Sequence, residues 1–158
     1  MIIIGAMATN RVIGNGDRMP WDVPEEYAHF LQIIKGQTII IGRRSYEIFG
    51  GTLTSANNIV VSKSGDHTAG AIVVPSIPDA MRVAESFNGA FFSAGGASIY
   101  AQTISLADTM YISYIKGQFI GDAYFPAFSE QEWAVDRRDD HSRFEFVVYR
   151  RIRSTIGA

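Results

Sequence analysis

"TIIIGRRSYEIFG", residues 38–50, changes character in its middle. Thr38 to Ile41 form a short β-favouring apolar run with no polar alternation. A glycine follows, then a stretch that reads as a helix ending near Gly50. A strand that feeds directly into a helix is the unit of an α/β sheet. Its apolar run is continuous because crossover helices cover both faces of parallel strands.

The same grammar recurs along the chain. "IIIGAMA" (2–8), "NIVVS" (58–62), "AIVV" (71–74), "GAFFSAGG" (89–96) and "TMYISYI" (109–115) read as strands. Helices are expected over 24–34, over "SIPDAMRVAESF" with Ser76 as N-cap and Asp79 three positions on, and over "ASIYAQTI". "WAVDRRDD" and "FEFVVYRRIR" alternate partly and suit a closing hairpin. "TNRVIGNGDRMPW" (9–21), with two Gly, two Asn and a Pro, reads as a long loop. The expectation is one α/β domain spanning 1–158. It has a predominantly parallel central sheet of about eight strands, an antiparallel C-terminal hairpin and helices on both faces. Ligands of such sheets bind beyond the carboxyl ends of the strands. That directs attention to 9–23, 42–46, 62–66, 94–98 and the loop after 115.

Composition narrows the chemistry. The chain has 158 residues, 47% hydrophobic and 19% charged, an ordinary balance for one domain with a sizeable core. A formal charge of −2 argues against a general nucleic-acid binder. The absence of Cys excludes disulfides, thiolate metal sites and cysteine nucleophiles. His29, His67 and His141 lack ligand spacing, so no metal is expected. There is no G-x-S-x-G and no P-loop. "MIIIGAM" lacks a basic n-region and no apolar run approaches a membrane span, which leads us to expect a soluble cytoplasmic protein.

Three acids crowd "MPWDVPEEYAHF" (19–30). With a helix beginning near Val23, Asp22 is a natural N-cap and Glu25 its partner at the third position. Glu26 differs. At helical spacing it shares a face with Phe30 and Ile33, beside the stripe Tyr27, Phe30, Leu31, Ile34. An unpaired buried carboxylate is costly, and burial raises its pKa toward a range useful for proton chemistry. The alternative is a stripe-edge Glu that snorkels to water.

Three strand ends carry phosphate-shaped features. Gly42, Arg43, Arg44 and Ser45 stand where a strand becomes a helix, a place where anions bind and Arg forks match phosphate oxygens. Gly95 and Gly96 repeat the arrangement and let a backbone approach a pyrophosphate. Ser62 and Lys63 end a third strand. Each alone is an ordinary turn. Together they suggest a ligand with several phosphates, such as a dinucleotide.

These residues resemble dihydrofolate reductase. The likeness runs through "NRVIGNGDRMPWDVPEE", "IIIGRRSYE", "NNIVVS", "SAGGASIY", "MYISYI" and "GDAYFP", in the family's order and near its spacing. The resemblance implies hydride transfer from NADPH to C6 of 7,8-dihydrofolate with protonation at N5, by a monomer acting on a small folate or pterin. It matches Glu26 to the carboxylate at the floor of the pterin cleft, Trp21 to a water-holding residue and Met19 to a mobile loop over the nicotinamide. Phe30 matches the aromatic packed on the pterin and benzoyl groups. Ala6 and Ile13 match positions beside the nicotinamide, and Tyr100 the tyrosine near developing charge. Ser113 keeps a hydroxyl for Glu26 and the pterin, and Ser45 one near the ribose and pyrophosphate. Gly42 opens the turn before them. Gly95, Gly96 and Ala97, followed by Ser98 and Ile99, match the pyrophosphate turn. Arg43, Arg44, Ser62 and Lys63 match the 2′-phosphate and adenosine end, and favour NADPH over NADH. Asp122 matches an acid that pairs with the Met19 loop.

One stretch departs from the family. Leu53 is retained in "GTLTSANN", but Ala56 stands where an arginine grips the substrate's glutamyl tail. Weaker folate binding with less dependence on the glutamate follows, unless Lys35 takes the arginine's place. Two other readings remain open on sequence. One is a same-fold reductase of another pterin or a pyrimidine, as in the riboflavin pathway. The other is a non-catalytic NADPH or pterin binder.

Overall fold

The computed structural model describes residues 1–152. Its strands are β1 (Ile2–Ala8), β2 (Val12–Gly14), β3 (Thr38–Gly42), β4 (Asn57–Val61), β5 (Ile72–Val74), β6 (Phe91–Ser93), β7 (Thr109–Ile115), β8 (Ala123–Tyr124), β9 (Trp133–Asp140) and β10 (Phe144–Arg151). Its helices are α1 (Pro24–Ile34), α2 (Arg43–Phe49), α3 (Ile77–Ser86) and α4 (Ala97–Thr103), with a 3₁₀ turn at Gly50–Thr52. Eight strands form one sheet in the order β5-β4-β3-β6-β1-β7-β10-β9. The first six in that order run parallel; β10 is antiparallel to β7, and β9 to β10. The expected α/β sheet and closing hairpin are therefore both present.

Period-two alternation explains the two covered faces. Ile39 and Ile41 pack with Ile34 and Phe30 of α1, whereas Ile40 packs with Ala80 and Ala84 of α3 and Ile99 of α4. All three isoleucines are almost fully buried. Each contributes roughly 1.5–3 kcal/mol of burial, so a polar substitution on either face is costly.

α3 is capped as its sequence predicts: the Ser76 hydroxyl accepts from the Asp79 N–H at 3.3 Å. α1 is not. Pro24 occupies its first position and biases the preceding residue away from helical angles. Val23, at φ −127° and ψ 81°, is therefore the N-cap, and Asp22 lies one residue too early to cap. Arg143 occupies this corner instead. It donates to the Asp22 carbonyl at 2.8 Å and stands 3.9 Å from Glu25. The expected Asp22–Glu25 capping pair is thus replaced by contacts to the C-terminal hairpin.

The 9–21 segment is also more ordered than expected. β2 pairs antiparallel with β8, more than a hundred residues away, forming a separate two-stranded ribbon. No local alternation announces strands this short, and their partner is remote in sequence.

One irregularity of the sheet makes a cleft. β6 ends at Ser93, paired with Ile3 on one side and Ile40 on the other. Its neighbours continue, β1 to Ala8 along β7 and β3 to Gly42 along β4. Beyond Ser93 the sheet therefore splits between β1 and β3. The Ala94–Gly96 turn is held to the β3 side of the split by Ala94 N–H to Ile40 O (2.9 Å) and Gly42 N–H to Gly95 O (2.8 Å).

Candidate active site

The split opens into a cleft of about 120 Å³. Ile4, Gly5 and Ala6 of β1 form its floor with Ala94, Gly95 and Gly96. α1 contributes Glu26, Tyr27 and Phe30 to one wall; Ile41, Ser45, Phe49 and Leu53 line the wall facing it. Ile13, Met19 and Tyr100 complete the lining.

Glu26 is the one charged residue in that lining. It is 5% exposed. Burial pushes its carboxyl up to about 7, and a hydrogen bond with Ser113 opposes the rise. Ser113 sits on β7, 3% exposed, and reaches the cleft only through this contact. A carboxylate poised near neutrality in an apolar pocket can hold or release a proton, or accept bonds from cationic or amidine-like donors.

Tyr100 is buried at the edge of the cleft, whose lining it joins. Its hydroxyl donates to Ile4 O at 2.8 Å. Burial, reinforced by the charge of Glu26, raises its pKa well above the usual phenol range, so it stays a neutral donor. Gly95, at φ +97°, is where glycine is required: a Cβ there would sit 3.0 Å from the Tyr100 ring.

Beside the cleft runs a groove of about 670 Å³, within the size range of cofactor sites. Gly42, Arg43, Arg44, Ser45, Lys63, Gly96, Ala97, Ser98 and Ile99 all line it, with Ile13 and Met19 at the junction. α2 and α4 start at this groove from Gly42 and Gly96, and neither has a side-chain cap, unlike α3. A Cβ on Gly96 would meet Ser45 Oγ at 3.1 Å, and one on Gly42 would meet Ile99 at 3.2 Å. Arg43 donates to Ser62 Oγ at 3.3 Å, Ser64 Oγ at 3.4 Å and Asp66 O at 3.2 Å. Ser62 is buried and acts through Arg43 rather than lining the groove. Arg44 is ion-paired to Asp17. Bare backbone donors, hydroxyls and four cations, Arg18 with Arg43, Arg44 and Lys63, form a donor set that suits a dinucleotide.

The 9–23 loop lies over the junction. Asp122 accepts from the Gly16 N–H at 3.2 and 3.3 Å, and its own N–H donates to Gly14 O at 3.0 Å. Trp21 is 7% exposed and packs edge-on to Phe119 at 5.6 Å. It lines the outer side of the loop beside Met19, and Met19 in turn reaches the cleft lining while Trp21 does not. Its indole Nε1 is buried with no protein acceptor among the described residues.

The structure thus gathers most of the expected residues at one cleft and its adjoining groove, Ser113 through Glu26 and Ser62 through Arg43, while Trp21 lies behind Met19 outside both linings. Sequence reasoning passed over Tyr27 and Phe49. Tyr27 was visible only as part of the apolar stripe of α1. Its i,i+3 spacing to Phe30 was the available signal that it turns toward the same cleft. Among the described residues, no group of His, Asp and Glu side chains is arranged to hold a metal, and no helix is long and apolar enough to cross a membrane.

Known proteins agree with this architecture. A dihydrofolate reductase from Enterococcus faecalis, solved in complex with NADP(H) and RAB-propyl, superimposes with a TM-score of 0.85 over 95% of each chain at 24% identity. The dihydrofolate reductase of Bacillus subtilis is 32% identical across 96% of this chain and 95% of its own length. Dihydrofolate reductase type 3 of Salmonella typhimurium is 33% identical across 88% and 86%. Because the dihydrofolate reductase family model also matches residues 1–151 continuously, the chain belongs to the dihydrofolate reductase family.

Proposed function

We propose that the protein reduces 7,8-dihydrofolate to 5,6,7,8-tetrahydrofolate, with NADPH as the reductant. Glu26 carries this reading: a lone carboxylate, nearly fully buried and held at about 7, on the α1 wall of an apolar cleft. Family membership supplies the substrate class, and nothing in the family match favours a pyrimidine substrate or a non-catalytic binder.

Each group then has a part. NADPH, when bound, supplies the hydride that adds at C6. Arg43, Arg44 and Lys63 would receive its 2′-phosphate and adenosine end, with Ser62 holding Arg43 from behind. Gly42, Ser45, Gly95, Gly96, Ala97, Ser98 and Ile99 receive the ribose and pyrophosphate, while Ala6, Ile13 and Tyr100 flank the nicotinamide. Ionised Glu26 accepts from N3–H and the 2-amino group of the pterin, two charge-assisted bonds that fix the ring. Ser113 holds the carboxylate in place, and Phe30 and Leu53 pack on the substrate. The proton for N5 passes by a water that the orphan Trp21 N–H can bind, since a buried donor without a partner calls for one. Met19 covers the reacting face and limits solvent entry. The reading includes a cytoplasmic monomer, which sedimentation and cell fractionation check.

Loss of absorbance at 340 nm with NADPH and 7,8-dihydrofolate is the direct test. No oxidation of NADPH by dihydrofolate would overturn the reading. Arg43→Ala tests the cofactor end. Removing a guanidinium that is held by two serines should raise KM for NADPH about tenfold, the loss of a charge-assisted bond, and leave NADH unaffected. An equal change for both cofactors would show that Arg43 does not meet the 2′-phosphate.

A further inference from the structure

The outer rim of the cleft is stitched shut along one side. The Tyr27 hydroxyl on α1 hydrogen-bonds the Thr52 hydroxyl in the 3₁₀ turn. Thr52 Oγ1 spends its own proton on Phe49 O at 3.0 Å. A hydroxyl has one hydrogen, so Tyr27 is the donor and Thr52 the acceptor. Further along the same seam, Thr54 Oγ1 donates to Leu31 O at 2.5 Å and Gly36 N–H donates to Thr54 O at 3.0 Å. The Tyr27 ring also leans on Phe30 (5.9 Å) and Phe49 (6.4 Å), residues from the two facing walls. Thr52 is exposed and Tyr27 half-buried, so their bond lies at the solvent edge of the cleft.

Within this seam the cleft lining holds no cation to meet a negative charge, neither Lys nor Arg. Lys35 stands at the C-cap of α1, at the end of the seam beside Gly36 and outside the lining, and Arg18 belongs to the 9–23 loop, also outside it. Glu26 itself is acidic. Dihydrofolate places its pterin in such a cleft but carries a benzoyl-glutamate with two carboxylates outward from C6. That tail must leave between walls which Tyr27 and Thr52 tie together.

We infer that the Tyr27–Thr52 bridge is a specificity gate that favours a reduced pterin with a short 6-substituent and opens only at a cost for the benzoyl-glutamate of dihydrofolate. This rests on the reductase reading and names the substrate class it prefers. Tyr27 and Thr52 set specificity; neither takes part in the chemistry.

Thr52→Val removes the acceptor, and Thr52→Ser keeps it. Dissociation constants for folic acid and for 6-methylpterin, read by tryptophan quenching, need no turnover. Thr52→Val should tighten folic acid about three- to tenfold, the net effect of one hydrogen bond no longer broken, with 6-methylpterin within twofold. Thr52→Ser should match the wild type for both. Tyr27→Phe should shift the ratio of the two constants in the same direction. Combined with Thr52→Val it should add little, because both changes cut one bond. Steady-state rates with 7,8-dihydrofolate and 6-methyl-7,8-dihydropterin then separate the two ideas. If neither substrate oxidises NADPH, the reductase reading falls, while the binding ratio still judges the gate. Unchanged folic acid affinity in Thr52→Val, or equal shifts for both ligands, would overturn the gate.

Discussion

Glu26→Gln should lower turnover about a thousandfold, within the usual range for a lost acid–base group, and at the same time make the fold more stable above pH 7. Both results come from one cause. The side chain is 5% exposed and burial raises its pKa from 4.5 to about 7. In the unfolded chain it titrates near the ordinary carboxylate value. Between those two values the folded state binds more protons than the unfolded state, so stability falls as pH rises. The loss is complete above about 7 and amounts to about 3 kcal/mol. Below about pH 4.5 both states hold the proton and the penalty is absent. Gln has nearly the same shape, keeps a partner for Ser113 and never ionises. Urea unfolding across pH should therefore show a gap between variant and wild type that opens from pH 4.5 to 7 and then stays constant. Wild-type kcat/KM should fall as pH rises through about 7, because the free enzyme carries on Glu26 the proton that reaches N5 through water and leaves the carboxylate ionised against the ring, and the residual rate of the variant should lose that inflection. A variant no more stable than wild type at pH 8 would mean that Glu26 is not held at the cost its burial indicates.

Much of this site could be read before any coordinates. Runs such as Thr38–Ile41 and Thr109–Ile115 are decided by their own composition, and Glu26 by its phase against Phe30 and Ile33. Those are short-range signals. What stayed hidden depends on distant partners. Val12–Gly14 pairs with Ala123–Tyr124 across the chain, and Tyr27 meets Thr52 from another element. Asp22 failed as a cap because Pro24 moved the helix start by one residue and Arg143, from the far hairpin, took the local contacts. The resemblance supplied roles that residue types alone left open, among them those of Ser113 and Asp122. It gave no hint of the Tyr27–Thr52 seam, which belongs to this chain's own side chains.

The ribbon that tethers the Met19 loop makes the second large prediction. A Cβ on Gly121 would lie 2.2 Å from Gly14 O and 2.4 Å from Val12 Cγ1, distances at which the backbone must move. Gly14 O is the acceptor for the Asp122 N–H, and the Asp122 carboxylate holds the Gly16 N–H. Gly121→Ala therefore pushes β2 away from β8 and frees the middle of the 9–23 loop, while Trp21 stays packed at its far end. The ribbon is separate from the main sheet, so the stability loss should be only about 1–2 kcal/mol. Turnover should suffer more. A loop that no longer closes over the reacting face admits water and misplaces Met19, and kcat should fall about ten- to a hundredfold, on the scale of misplaced catalytic geometry. Hydrogen exchange should accelerate at residues 12–19 and stay at wild-type rates in β3 and β4. Gly51→Ala, where a Cβ meets nothing within 4 Å, should leave exchange and rate alone. If Gly121→Ala speeds exchange in the loop yet keeps wild-type kcat, the tether orders a segment that the chemistry does not need. If it slows turnover without touching exchange, the clash is absorbed elsewhere and the ribbon is not what holds Met19 in place.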